Sequence, residues 1–249
     1  MTGPDITPVA SSAAAAHGTV TPLARSPLAA MVWRELLDEL LRGVAHALSN
    51  RVATVSAAAY LASGGEPLEP DMAAALSAES ERLERLLGDL RLLPAPLDGA
   101  REPLLLAETV AQAIDLHRHH LGLREVPVAL TTDATVPPVS CNPVRALHLL
   151  LVMLTALRLA ARDTTVIGPD GRVAVPNVQL HLTGDPEQAR LTGRVDIGGR
   201  RMLAEVVALV DAVADMARDS GASARHDVAV LSIEIMFPSL AADRARRDK

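Results

Sequence analysis

Aromatic residues are almost absent from this chain of 249 residues, which has one Trp, one Tyr and one Phe. Nevertheless, 49% of its residues are hydrophobic, which is enough for a sizeable core. Leu, Val and Ala must therefore supply the packing, a composition typical of alanine-rich helical proteins. The length allows two modest domains.

Cysteine and lysine are equally scarce. Cys141 is the single cysteine, which excludes an internal disulfide framework, and we expect it to be a small buried residue. Of the 24 Lys and Arg residues only Lys249 is a lysine, and the net charge is -6. An acidic chain offers no surface for a polyanion, so no nucleic-acid partner is expected.

No segment has the pattern of a membrane span or a secretory signal. The most apolar stretch, from Ala146 to Ala161, is interrupted by polar residues and is too short to cross a bilayer. Residues 1–27 lack a basic start followed by an apolar run, so we predict a disordered tail there. We expect a cytoplasmic protein without a membrane partner.

Hydrophobic spacing predicts two long helices near the start of the chain. Leu28 to Ala62 carries apolar residues at steps of three and four and would extend for about 50 Å. Asp71 to Leu93 is a second amphipathic helix, which follows a turn rich in Gly and Pro. Because a helical hairpin alone buries little surface, we predict that residues 28–93 dimerise into a four-helix bundle.

After a Pro-rich linker at residues 94–99, the pattern changes to alternating helices and strands. Helical spacing covers Pro103–Leu121, Pro143–Arg162 and Arg200–Ser220. Alternation predicts strands at Val126–Thr132, Val173–Leu182, Ala189–Ile197 and Val228–Phe237. This order predicts an α/β sandwich over residues 98–238, with helices on one face of a mixed sheet, and then a charged tail at 239–249.

His46 is the candidate functional residue of the first helix. The apolar stripe of that helix includes Val44 and Leu48, so His46 projects about 200° away from it. We expect its imidazole to lie in water, where another protein can reach it. The alternative interpretation is an ordinary solvated histidine.

Three stretches of the sequence resemble sensor histidine kinases. His46 to Val52 resembles their H-box, and Leu105 to Val110 resembles the entry into the first helix of their ATP-binding domain. Thr131 to Val139, followed by Asn142-Pro143, resembles their strand-to-helix approach. The resemblance covers about residues 30–238 and implies an α+β fold, in which a dimeric four-helix bundle precedes a degenerate ATPase-like sandwich.

The nucleotide site departs from the family pattern. Aligned on Ala156, Leu151 and Thr155 occupy the positions of the asparagines that support magnesium and phosphate in active kinases. Both glycine-rich loops are missing, and only Asp196–Gly199 lies near the expected region, where it is predicted to lead directly into a helix. The departures imply that ATP binding has been lost, and we expect no cofactor and no metal.

A helical hairpin with an exposed histidine, joined to a sandwich without a nucleotide site, is similar to the dimeric histidine phosphotransferases. The resemblance implies that His46 accepts a phosphoryl group from a receiver aspartate and passes it to another. It also implies a homodimer and a response regulator receiver domain as partner. Asn50 occupies the place where kinases with phosphatase activity carry a Thr or Asn that positions water. Ala47 replaces the acidic residue that commonly follows the histidine, which disfavours unaided autophosphorylation.

Two alternative functions stay open at this stage. One is a catalytically inactive scaffold that dimerises and binds a kinase or regulator, which the residue Ala47 favours. The other is an active kinase with an unusual nucleotide site. Arg42, one turn before His46, either attracts phosphate or is a solvated charge. The histidines of residues 117–120 are predicted in the last turn of a helix, where cationic groups favour the dipole, rather than at a metal.

Overall fold

Two long helices come first in the computed structural model. Helix α1 spans Pro27–Ala62 and helix α2 spans Pro70–Leu92, close to the predicted limits. Ser26 caps α1, because its hydroxyl oxygen accepts a hydrogen bond from the backbone N–H of Ala29 at 3.2 Å. With 36 residues, α1 extends for about 54 Å.

The structure describes most of the chain, with several gaps. The described residues are 26–63, 70–95, 97, 99–164, 166–167, 173–174, 176–227 and 229–248. The predicted disordered tail, residues 1–27, lies outside them except for its last two residues.

The remaining helices and strands form the predicted sandwich. The helices are α3 Leu106–His117, α4 Pro143–Asp163, α5 Ala204–Asp219 and α6 Leu240–Arg247. The strands are β1 Glu102–Leu104, β2 Val128–Thr132, β3 Val139–Cys141, β4 Val166–Ile167, β5 Val173–Ala174, β6 Val178–Gly184, β7 Gln188–Arg194, β8 Ser223–Asp227 and β9 Ser232–Pro238.

A mixed sheet of five strands carries the sandwich, in the order β2-β6-β7-β9-β8. β2 and β6 are parallel, whereas the other neighbouring strands are antiparallel. Side chains of β6 alternate, since Val178, Leu180 and Leu182 are buried while Gln179 and His181 are exposed. α4 and α5 pack against the sheet, which confirms the α+β architecture with helices on one face of a mixed sheet.

The structure corrects several predicted limits. α3 begins at Leu106 rather than Pro103, because Glu102–Leu104 pairs with β3 as an antiparallel strand. Residues predicted only as a charged tail include helix α6, which Ser239 caps by accepting a hydrogen bond from the N–H of Ala242. Asp243 of α6 is buried and pairs with arginine side chains, which fixes this helix against the sandwich.

Helix α4 is longer than the apolar stretch of the sequence suggests. Its 21 residues are long and apolar enough to cross a membrane by length and composition, but 89% of its most apolar window is buried inside the protein. Leu149, Leu151 and Leu157 have no exposed surface. α4 is therefore the central core helix of the fold.

The first half of α1 packs against α4 and α5. Ala29, Val32, Leu36 and Leu40 are buried in the same core as the sandwich. They lie on a different stripe from the residues predicted to face a second copy, of which Leu41 is only half-buried. The helical hairpin and the sandwich therefore share one core at this end of α1.

An aromatic contact fixes α1 to α4. The Trp33 ring stacks on the His148 ring with centroids 3.7 Å apart and planes inclined by 22°. His148 Nε2 also lies 3.0 Å from the carbonyl oxygen of Leu92 and donates a hydrogen bond to it. His148 therefore connects α1, α4 and the end of α2.

Candidate functional site

His46 lies on the exposed face of α1, as the periodicity of the sequence predicts. The neighbouring stripe residue Val44 is buried, and Leu48 is half-buried. His46 lies only a few residues after the last part of α1 that contacts the sandwich. Its ring is therefore beside the junction between the helical hairpin and the sandwich. A partner protein can reach the imidazole from solvent.

Asn50 follows His46 by one helical turn, so the two side chains are neighbours on α1. Its amide nitrogen Nδ2 lies 3.3 Å from Nε2 of His46. Because an amide N–H can only donate, Nε2 accepts this hydrogen bond and the ring proton resides on Nδ1. The hydroxyl of Ser49 instead donates to the Ala45 carbonyl oxygen at 2.9 Å. Asn50 is thus the polar side chain that contacts the histidine.

Both arginines that flank His46 in the sequence are paired with carboxylates. Arg42 lies 2.8 Å from Glu39 on the same helix, and Arg51 lies 2.5 Å from Glu79 on α2. The sequence indicates Arg42 as a possible phosphate attractor, but in the structure a carboxylate already compensates its charge. The Arg51–Glu79 pair connects α1 to α2 close to His46.

Glu79 receives two arginine side chains. Arg82 pairs with its second carboxylate oxygen at 3.2 Å. Partial desolvation raises the pKa of Glu79, but the hydrogen bonds from Arg51 and Arg82 outweigh it and hold the pKa below the ordinary value. The carboxylate is therefore ionised near neutral pH and orders the surface one turn beyond His46. Sequence spacing gave no signal for this contact, because the partners are on different helices.

His117 is buried and forms a hydrogen-bonded network in the core. Its Nε2 lies 2.9 Å from Thr155 Oγ1, and its Nδ1 lies 2.8 Å from a guanidinium nitrogen of Arg158. The Thr155 hydroxyl donates to the Leu151 carbonyl oxygen at 2.8 Å, so it accepts from the Nε2–H of His117. Burial first, and then the Arg158 charge, lower the pKa of His117 well below its ordinary value. His117 is thus a neutral core residue, which corrects the prediction of a cationic helix end.

This network includes one of the two positions at which the sequence departs from active kinases. The Thr155 hydroxyl is hydrogen-bonded to His117, and Leu151 has no exposed surface. Neither residue presents an amide oxygen to a cation. The burial of His117 could be predicted from the sequence, because Leu106, Val110 and His117 lie on one face of α3.

The glycines after β7 form a turn rather than a direct entry into a helix. Asp196 Oδ1 accepts a hydrogen bond from the N–H of Gly198 at 2.9 Å. Gly198 and Gly199 have φ values of 58° and 70°, in the left-handed region that favours glycine. α5 begins only at Ala204, which corrects the prediction that Asp196–Gly199 leads straight into it.

Cys141 and the histidine cluster do not form a metal centre. Cys141 is buried as predicted, and burial raises the pKa of its thiol to about 11, so the thiol is protonated at neutral pH. Within the described part of the chain, no group of three or more His, Cys, Asp and Glu side chains is arranged to hold a metal ion.

Comparison with known proteins gives one family by sequence. No family model matches the chain. The sensor histidine kinase ZraS of Salmonella typhimurium is 26% identical over 151 residues, which are 53% of this chain and 32% of that protein. ZraS of Salmonella typhi matches to the same extent. The chain thus matches about a third of the length of these curated relatives.

Two solved histidine kinase structures match the chain at low similarity. The Acinetobacter baumannii histidine kinase AdeS has a TM-score of 0.42 and 13% identity, over 78% of this chain and 98% of that one. The mycobacterial sensor histidine kinase MprB has a TM-score of 0.41 and 16% identity, over 56% of this chain and 97% of that one. The sequence relationship to the sensor kinases supports a histidine kinase-like protein.

Proposed function

We propose that this chain is a histidine phosphotransfer protein of a two-component phosphorelay. His46 accepts a phosphoryl group from the aspartate of a receiver domain and passes it to a second receiver. The observation that carries the proposal is the exposed imidazole of His46 on α1, with its Nε2 lone pair directed to the amide of Asn50 at 3.3 Å.

The chemistry needs an accessible ring nitrogen. Nε2 leaves the Asn50 amide and attacks the phosphorus of the receiver phosphoaspartate, while the bond from phosphorus to the aspartate oxygen breaks. The receiver carboxylate departs with the electron pair, and the phosphoryl group takes the place of the Asn50 amide at Nε2. The receiver brings its own magnesium and lysine to the transferring group. The second transfer reverses these steps on another aspartate.

The proposed phosphoryl donor is a receiver rather than ATP. An ATP site would need oxygen ligands for magnesium on α4, where Leu151 is fully buried and the Thr155 hydroxyl is hydrogen-bonded within the core. Ala47 adds no carboxylate beside His46 that could act as a general base. These residues support an acceptor histidine without autokinase activity.

A homodimer through the hairpin is part of the proposal. Apolar side chains remain exposed toward the loop end of α1 and α2, where the sandwich does not cover them: Val52, Tyr60, Leu61 and Met72. A patch of this kind on a helical hairpin is buried when two copies form a four-helix bundle. Dimerisation would leave His46 on the outer face of the bundle.

Transfer from phosphorylated receiver domains of the same genome tests the proposal. The wild-type chain should acquire an acid-labile phosphate, and His46→Ala should acquire none. His226→Ala is the matched control, because His226 is an exposed histidine on β8 and should be dispensable. Since Ala favours helix and His46 contributes little packing, circular dichroism of His46→Ala should match the wild type.

Two outcomes contradict the proposal. Equal labelling of His46→Ala and wild type would locate the acceptor at another residue. If no receiver labels the wild type, the non-catalytic scaffold becomes the better description, and binding of unphosphorylated receiver or kinase to the dimer would then support it.

A further inference from the structure

A cavity of about 430 Å³ lies where α1 meets the sandwich. α1, α4, α5 and the segment after α3 all contribute to its wall. The volume is within the range of small-molecule sites, which is about 300–1,000 Å³. His46 is not among the residues that line the cavity.

Much of the cavity wall is apolar. Val32 and Leu36 of α1 face it together with Leu159 of α4 and Leu209 of α5. These side chains are almost fully buried, so the wall belongs to the packed core. An apolar group that enters the cavity replaces water against this surface, which favours binding.

The cavity also has carboxylates without partners. Glu35 on α1 and Glu205 on α5 line it, and neither makes an ion pair or side-chain hydrogen bond among residues that the structure describes. Two unpaired carboxylates repel a polyphosphate and attract an ammonium group.

Basic groups line the same cavity from other elements. Arg162 of α4 makes one hydrogen bond in the described chain, from Nε to the neighbouring Asp163 at 3.4 Å. His120 lies after α3, and its Nδ1 is buried without a hydrogen-bond partner in the described residues. Burial lowers the pKa of His120, although Glu39 acts in the opposite direction. A neutral imidazole with a free ring nitrogen can donate a hydrogen bond to an anion.

We propose that this cavity binds an apolar α-amino acid in its zwitterionic form. The ligand carboxylate pairs with Arg162 and accepts from His120, and its ammonium pairs with Glu35 and Glu205. The ligand side chain packs on the apolar wall formed by Val32, Leu36, Leu159 and Leu209. A purely cationic ligand leaves the basic groups unused, and a purely anionic ligand meets the two carboxylates.

Isothermal titration calorimetry with three probes that share the same branched apolar side chain tests the ligand class. L-leucine carries both charges, 3-methylbutylamine only the ammonium, and 4-methylpentanoate only the carboxylate. L-leucine should bind with a Kd of about 1 mM or tighter and at least about fivefold more tightly than either analogue. No saturable binding of L-leucine, or an analogue that binds as tightly as L-leucine, would overturn the proposal.

Variants localise the binding. Ala208→Phe fills the cavity from α5 and should abolish L-leucine binding, whereas Ala214→Phe, half-buried on the same helix outside the cavity, should retain it. Glu35→Gln should weaken binding about threefold, as expected for an exposed ion pair, and Asp38→Asn on the same helix should have no effect. Unchanged binding in Ala208→Phe would refute this site. His46→Ala should bind L-leucine like wild type, so a failed phosphotransfer assay leaves this test intact.

Discussion

His117 donates a hydrogen bond from Nε2 to Thr155 Oγ1 at 2.9 Å, within the core between α3 and α4. The opposite ring nitrogen accepts from Arg158, whose guanidinium also donates to the His117 carbonyl oxygen at 3.1 Å. An imidazole in this arrangement has one proton and no position for a second. Protonation would break the contact with Arg158 and place two cations together in the core.

The stability of the fold should therefore depend on pH near neutrality. The pKa of His117 is lowered in the folded state, so below about pH 6.5 the unfolded chain binds a proton that the folded chain does not. The contribution of His117 to the free energy of unfolding is therefore fully present above pH 6.5 and falls with decreasing pH. This group alone should remove about 1 kcal/mol between pH 6.5 and pH 5.5. His120, whose pKa is also lowered, acts in the same direction.

Urea unfolding of wild type and His117→Gln at two pH values measures this contribution. The variant loses packing and hydrogen bonds at pH 7.5, but it has no imidazole to protonate. The variant should therefore have a lower free energy of unfolding than wild type, and this difference should be about 1.4 kcal/mol smaller at pH 5.5 than at pH 7.5. An equal deficit at both values would show that the titrating group is elsewhere.

Gly43 permits the close approach of α1 to the segment after α3. A Cβ atom at this position would come within 1.6 Å of the His119 carbonyl oxygen, which is backbone and cannot rotate away. Gly43→Ala should therefore destabilise the fold by about 1–3 kcal/mol in urea unfolding, although Ala favours helix.

Gly88 provides the matched control for Gly43. It lies within α2, and a Cβ atom there would meet nothing within 4 Å. Gly88→Ala should stabilise the protein by about 0.5–1 kcal/mol, the gain expected in an exposed helix interior. Effects of the same sign in both variants would contradict the packing of α1 against the sandwich.

Periodicity was sufficient to predict the long helices and part of the sheet. The three- and four-residue spacing in α1 identified His46 as exposed, because the angle per residue is fixed in a helix. Alternation similarly identified β6 and β7, since one face of an antiparallel pair is buried and the other is solvated. These features depend on neighbouring residues alone.

Contacts between distant elements could not be predicted in the same way. α1 carries a second buried stripe, with Val32, Leu36 and Leu40, and its role depends on where α4 and α5 lie. The short strands β1 and β3 exist because they pair with each other, which no periodic pattern records. The pairing of Arg51 with Glu79 likewise requires the hairpin to form first.

Dimerisation should depend on the exposed end of the hairpin. Val52 is 50% exposed on α1, so Val52→Asp should disrupt a four-helix bundle without removing a core residue. Light scattering should give the mass of two chains for wild type and a shift to one chain for Val52→Asp. Val230→Asp is the control, because Val230 is 57% exposed in the sandwich and should leave the dimer intact. A wild-type mass of one chain contradicts the proposed dimer.

Asn50 should affect hydrolysis more than acceptance of the phosphoryl group. Its amide is the side chain that contacts the His46 ring, so it is placed to orient a water molecule at a docked phosphoaspartate. Asn50→Ala should still be labelled at His46, because the nucleophile and the receiver groups are unchanged. Any phosphate release from the receiver that the wild type accelerates should slow by about tenfold or more.

Ser49→Ala serves as the control for Asn50→Ala. The Ser49 hydroxyl is exposed, but it already donates to the Ala45 carbonyl oxygen of its own helix, so its loss should leave both labelling and phosphate release unchanged. The two rates are measured by following labelled phosphate on receiver, on this chain and in solution. If Asn50→Ala instead abolished labelling while its circular dichroism stayed that of wild type, the amide would be required for transfer itself. Its role as a water-positioning group would then be wrong.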